Sequence, residues 1–143
     1  MEVVNISTAK AKEYLKSIRT LDRTIKIKNE ELHSLQLNLA QISSQPLNER
    51  VLSSNTSDTM KAIDTIIDMQ AEIRREVCNL VHLKNEARNK INQLSDSRYI
   101  DILTDYYINC KTWEQVADIM GYDLRWVYRL HGRALQVFEK LLN

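Results

Sequence analysis

From residue 14 the apolar side chains fall at Tyr14, Ile18, Leu21, Ile25, Leu32, Leu35, Leu39 and Ile42, with Lys28 the polar exception in the series. The steps alternate four and three residues. A seven-residue repeat of this kind presents a narrow apolar stripe to another helix. A second series follows at Ile63, Ile66, Gln70, Ile73, Val77, Leu80, Lys84, Ala87, Ile91 and Leu94. The spacing predicts helices over 8–42 and 58–94, each about 50–55 Å long at 1.5 Å per residue. Between them, ISSQPLNERVLSSNTSD holds Pro46 and a Ser/Asn/Thr cluster that discourage a helix. Asn55, Thr56, Ser57 and Asp58 offer N-cap oxygens to the second helix. Two stripes of nearly equal length joined by a loop fit an antiparallel helical hairpin. A parallel intermolecular coiled coil is the rival arrangement. Strand-rich folds need many turns, and with only two glycines and one proline the chain reads as all-α.

Several polar and outlying residues qualify this stripe. Gln70 and Lys84 interrupt the second repeat and either fix its register or lie at its wetter edge. Met60, Ile67 and Val81 form a further apolar column on the second helix, which the hairpin seam leaves partly wet. Either the C-terminal domain covers this column, or it is the surface for a homodimer or another partner. His33 and His82 fall off both stripes and read as solvated polar residues. Cys78, beside the seam, reads as a small packing residue.

The C-terminal third changes pattern. Ser95–Ser97 ends the second repeat and offers N-caps to a helix over 97–108 with Tyr99, Ile102, Leu103 and Tyr106 at helical spacing. Asn109, Cys110 and Lys111 make a connector. Thr112 and Gln115 then stand at the spacing of a capping box. Trp113, Val116, Ala117 and Met120 give the next helix its apolar face. Gly121 suits a left-handed C-terminal turn, because glycine adopts that conformation without steric cost. Asp123 can cap a final helix over 124–141, whose buried face is Val127, Leu130, Ala134, Leu135 and Phe138. The opposite face exposes Leu124, Arg125, Tyr128, Arg129 and Arg133, with Trp126 at its flank. No carboxylate occurs from Leu124 through Phe138. Two helices around so tight a turn suit major-groove recognition by the second helix. Arginine is the side chain best matched to guanine edges and phosphates.

The spacing of T-W-E-Q-V-A-D-I-M-G-Y-D-L-R-W-V-Y-R-L-H-G-R-A-L resembles the helix-turn-helix of sigma-70 region 4. Thr112, Glu114, Ala117, Gly121, Val127, Ala134 and Leu135 match its pattern residue by residue. The wider chain resembles a family of small phage and prophage proteins of unknown function from Gram-positive bacteria. These join a long helical hairpin to a sigma-like tail. The resemblance implies a DNA-binding transcriptional regulator, an activator of phage genes. Leu124 and Trp126 stand where sigma proteins carry polar or charged residues, so base preference does not transfer. Nothing matches the parts of sigma that bind the polymerase core or the −10 element, so a complete sigma factor is not expected.

The expected organisation is therefore a hairpin over 1–94, for dimerisation or docking, and a helix-turn-helix domain over 95–143. The expected partners are double-stranded DNA, RNA polymerase and a second copy of the chain. The segment 95–143 carries six Lys and Arg against seven Asp and Glu, so attraction to DNA must be local and strengthened by two copies acting together. Two other functions compete: a DNA-packaging protein like a small terminase subunit, and a sigma-like interaction module that does not touch DNA. An enzyme, a cofactor and a small-molecule substrate are not expected, because no phosphate-binding glycine loop, metal-ligand cluster or nucleophile–base pair occurs. His131 beside Arg133 is the one catalytic-type pair, and it falls on a face expected to touch phosphate or to pack locally. Cys78 and Cys110 lack metal-like spacing and suit a reduced compartment. No apolar run approaches a membrane span and the N-terminus lacks a signal-peptide pattern, so a cytoplasmic location is expected.

Overall fold

The computed structural model describes residues 7–43 and 54–143, and every regular element among them is helical. Helix α1 runs Ala9–Ser43, α2 Ser54–Ile91, α3 Ser97–Leu103, α4 Trp113–Met120 and α5 Leu124–Leu142. Pro46 and most of the expected loop lie outside the described residues. α2 starts four residues before the expected boundary, so the cap candidates 55–58 are already within its first turns. Ser, Asn, Thr and Asp cost less than about 1 kcal/mol each inside a helix, which a long helix extends across. No helix among the described residues is long and apolar enough to cross a membrane.

The chain divides into two compact units, Arg23–Asn79 and the pair Met1–Asp22 with Leu80–Asn143. In the unit 23–79, α1 and α2 run antiparallel. Lys28 Nζ lies 3.0 Å from Glu72 and 2.6 Å from Glu76. Further along, Leu35, Leu39 and Ile42 of α1 face Ala62 and Ile66 of α2 around a cavity of about 270 Å³. Ile25, Leu32, Ile66 and Ile73 are buried between the two helices.

The first repeat faces inward as read except at Ile42, which is 51% exposed, whereas the second is rotated over its first half and regains its expected face by Ile91, which is buried. Ile66, Ile73, Leu80, Ala87 and Leu94 are buried, whereas Ile63 and Val77 are exposed. Half-buried Met69 and Glu76 take the positions beside the buried column. The rotation brings carboxylates to Lys28. A lysine inside the α1 stripe needs carboxylates, and turning α2 toward its Glu72 and Glu76 edge supplies them. Gln70 is exposed, and Lys84 ion-pairs with Asp22 at 3.3 Å, as suits edge positions. Cys78 is exposed rather than packed, because the same rotation carries it outward.

In the other unit, the beginning of α1 and the end of α2 share a core with α3–α5. Ala11, Leu15 and Ile18 of α1, and Leu80, Ala87, Ile91 and Leu94, are buried together with Ile102, Leu103, Val116, Val127, Leu130 and Phe138. Tyr14 stacks on Phe138 at 6.0 Å. Glu139 is buried, and its carboxylate accepts a hydrogen bond from the Ala11 amide at 2.6 Å. The first turn of α1 contains no acidic side chain of its own, so Glu139 supplies the negative charge that a helix N-terminus favours.

Candidate nucleic-acid interface

Local chemistry explains how α4 and α5 are placed. Thr112 Oγ1 accepts from the Gln115 amide at 3.2 Å, and the Gln115 side chain accepts from the Thr112 amide at 2.9 Å. Both halves of the capping box are made. Gly121 then takes φ +71°, in the left-handed region, and ends α4. Asp123 caps α5 by accepting from the Trp126 amide at 2.7 Å. Ala117 is buried where α4 approaches α5.

The segment before α4 departs from a simple helix and connector. α3 ends at Leu103 and a single π-turn follows over Thr104–Ile108. Cys110, with φ 55°, is the one non-glycine in the left-handed region among the described residues. Arg19 of α1 holds this bend. Its guanidinium donates to the carbonyls of Tyr106 and Lys111 and lies 3.9 Å from the Tyr106 ring centroid. A cation can satisfy carbonyls that no helix amide reaches, which allows the bend to be partly buried.

The six candidate contact residues do not behave alike. Arg125, Tyr128, Arg129 and Arg133 are exposed, while Leu124 and Trp126 are half-buried. No arginine of this group has an ion pair among the described residues. Arg125, Tyr128 and Arg129 share a face with Gly132, at i, i+3, i+4 and i+7 spacing. The structure puts Arg133 beside Trp126 instead, 5.4 Å from its ring. This contact holds Trp126 against the helix flank. The Tyr128 ring meets Trp113 of α4 edge-on at 5.5 Å, which fixes the tyrosine at the junction of the two helices.

His131 packs locally rather than facing outward with the arginines. Its Nε2 lies 2.7 Å from the Tyr107 hydroxyl, and its ring meets Trp113 edge-on at 4.5 Å. Burial among these rings, with the charge of Lys12 adding to it, pushes the imidazole down to about 4. Burial also pushes the Tyr107 hydroxyl well above its ordinary value. His131 is therefore a neutral hydrogen-bonding partner at neutral pH. This site was not legible from sequence, because residues 107, 113 and 131 meet only when α4, α5 and the π-turn are assembled. Among the described residues no group of three or more His, Cys, Asp and Glu gathers as a metal site would require.

Met60, Ile67 and Val81, the expected partner surface, all point to solvent. No family model matches the chain, and neither a curated protein nor a solved structure matches it.

Proposed function

We propose that α4, the Gly121 turn and α5 are a helix-turn-helix that binds duplex DNA, and that the chain is a phage-type transcriptional regulator, an activator of phage genes. In this reading the antiparallel pairing of α1 and α2 is a hairpin that carries the DNA-binding tail. The observation that carries the proposal is the exposed Arg125–Tyr128–Arg129 face in the first turns of α5, opposite buried Val127 and Leu130. Two cations without an ion pair among the described residues, on a helix entered through a left-handed turn, suit guanine edges and phosphates. The resemblance to sigma-70 region 4 points the same way. Arg133 is given the lesser role of a phosphate contact, since its guanidinium already lies against Trp126.

The tail is nearly neutral, so a single copy should bind weakly and a homodimer with two recognition helices strongly. A second reading, that the tail binds RNA polymerase without touching DNA, is favoured by Ile119, which is 57% exposed on α4. Genomic footprinting of the tagged protein during phage induction would find the sites. Fluorescence anisotropy on those fragments then separates the readings. Arg125→Ala and Arg129→Ala should each weaken specific binding by roughly 1–3 kcal/mol. Equal affinity of the double variant would refute the DNA-binding face. Light scattering addresses the packaging alternative, which needs a ring many times heavier than 16.7 kDa.

A further inference from the structure

The near-neutral segment 95–143 does not fold with its own charges alone. Residues 9–22 of α1 belong to the same compact unit, and they hold Lys10, Lys12, Lys16 and Arg19 against Glu13 and Asp22. Three contacts lay this stretch along α5 and the connector. The Ala11 amide meets Glu139 at 2.6 Å, Tyr14 stacks on Phe138, and Arg19 lies over the Tyr106 ring.

Lys12, Lys16 and Arg19 stand at i, i+4 and i+7, so they share one face of α1. That face borders the aromatic cluster. The charge of Lys12 reaches His131, and Arg19 covers Tyr106, which stacks on Trp113 at 3.7 Å. Trp113 in turn meets both His131 and Tyr128. The Arg19 guanidinium is held by the Tyr106 and Lys111 carbonyls. Lys12 and Lys16 are exposed, and neither has an ion pair among the described residues. Their ammonium groups therefore stand at the edge of the cluster whose outermost ring, Tyr128, belongs to the exposed face of α5.

The carboxylates of this unit leave that edge positive. Asp22 pairs with Lys84 at 3.3 Å, Glu139 is buried on the Ala11 amide, and Asp105 accepts from Asn109. Glu114 and Asp118 are exposed on α4, but they lie about 100° and 140° around that helix from Trp113. Glu13 is the one exposed carboxylate on residues 9–22, and a single charge leaves the two lysines in excess. A lysine is a flexible point charge, suited to phosphate oxygens rather than to the edge of one base.

Resting on the reading of α5 as a recognition helix, we propose that Lys12 and Lys16 of α1 bind the phosphate backbone of the same duplex, beside the groove that Arg125 and Arg129 enter. The first helix of the hairpin then supplies sequence-independent charge that residues 95–143 lack.

The test is the salt dependence of duplex binding by the full chain. Fluorescence anisotropy is read on a footprinted fragment and on an unrelated duplex between about 50 and 200 mM potassium chloride. Each phosphate contact contributes about 0.9 to the slope of log affinity against log salt. Lys12→Gln with Lys16→Gln should lower that slope by about 1.8 and weaken both duplexes by the same factor, since phosphates carry no sequence. Lys12→Arg with Lys16→Arg should keep the wild-type slope. Both pairs should keep the wild-type helicity by circular dichroism, because the two positions are exposed. Lys61→Gln removes the same charge from an exposed position of α2 and should leave the slope unchanged. Arg125→Ala should instead weaken the footprinted fragment more than the unrelated duplex. A wild-type slope in the glutamine pair, a loss confined to the footprinted fragment, or an equal effect of Lys61→Gln would overturn the phosphate contacts while DNA binding stands. A wild type that binds neither duplex would overturn the recognition helix and the phosphate contacts together.

Discussion

His131 should make this protein sensitive to mild acid. In the fold the imidazole is neutral, bonded to Tyr107 and enclosed by Trp113 and Tyr106. It titrates near 6.5 in an unfolded chain and at about 4 in the folded protein. As the pH falls, the unfolded chain takes up this proton first. The stabilisation from neutral His131 is therefore complete above about pH 7 and is lost as the pH falls from 6.5 toward 4. At 1.36 kcal/mol per unit the full loss is about 3 kcal/mol, of which about 2 kcal/mol has gone by pH 5. Glutamine keeps a neutral hydrogen-bonding group and does not titrate. Urea unfolding of wild type and His131→Gln at about pH 7 and pH 5 isolates the imidazole, since the carboxylates common to both proteins cancel. The wild type should lose about 2 kcal/mol more than the variant between those conditions. An NMR titration placing the His131 imidazole near 6.5, or identical acid losses in the two proteins, would refute its burial in the aromatic cluster.

Glu139→Ala should destabilise the protein by about 1.5–3 kcal/mol in chemical unfolding, because it leaves the Ala11 amide without its charged acceptor. Gly121→Val should cost about 1–3 kcal/mol from backbone strain at φ +71° alone, since an added Cβ meets nothing within 4 Å. Hydrogen exchange on that variant should show the start of α1 and the end of α2 losing protection together with α4 and α5. Loss confined to α4 and α5 would mean that the tail folds by itself. Gly132→Ala should raise stability by roughly 0.5–1 kcal/mol in thermal melting, as a mid-helix glycine in open space gains helix propensity from a methyl group. Arg19→Met should destabilise the connector, with Tyr106 and Lys111 carbonyls losing their donor and the Tyr106 ring its stacked cation. The change in ring packing should be visible in near-UV circular dichroism.

Features set by a few neighbouring residues were legible in the sequence. The Thr112–Gln115 capping box, the left-handed Gly121, the Asp123 cap and the buried face of α5 each depend on spacings of four residues or fewer. The α1 repeat is likewise a local periodicity, and so are the two seams of α2. Their division between the inside and outside of the fold is not local. Both registers of α2 carry apolar residues at three-and-four spacing, and the one that faces α1 is the one that also brings Glu72 and Glu76 to Lys28. The burial of Glu139 depends on the Ala11 amide, 128 positions away, which gives its carboxylate a donor. His131 and Arg19 follow the same rule. A titratable side chain can enter a core only where another segment meets its charge or hydrogen bonds, and that segment is placed by the tertiary structure.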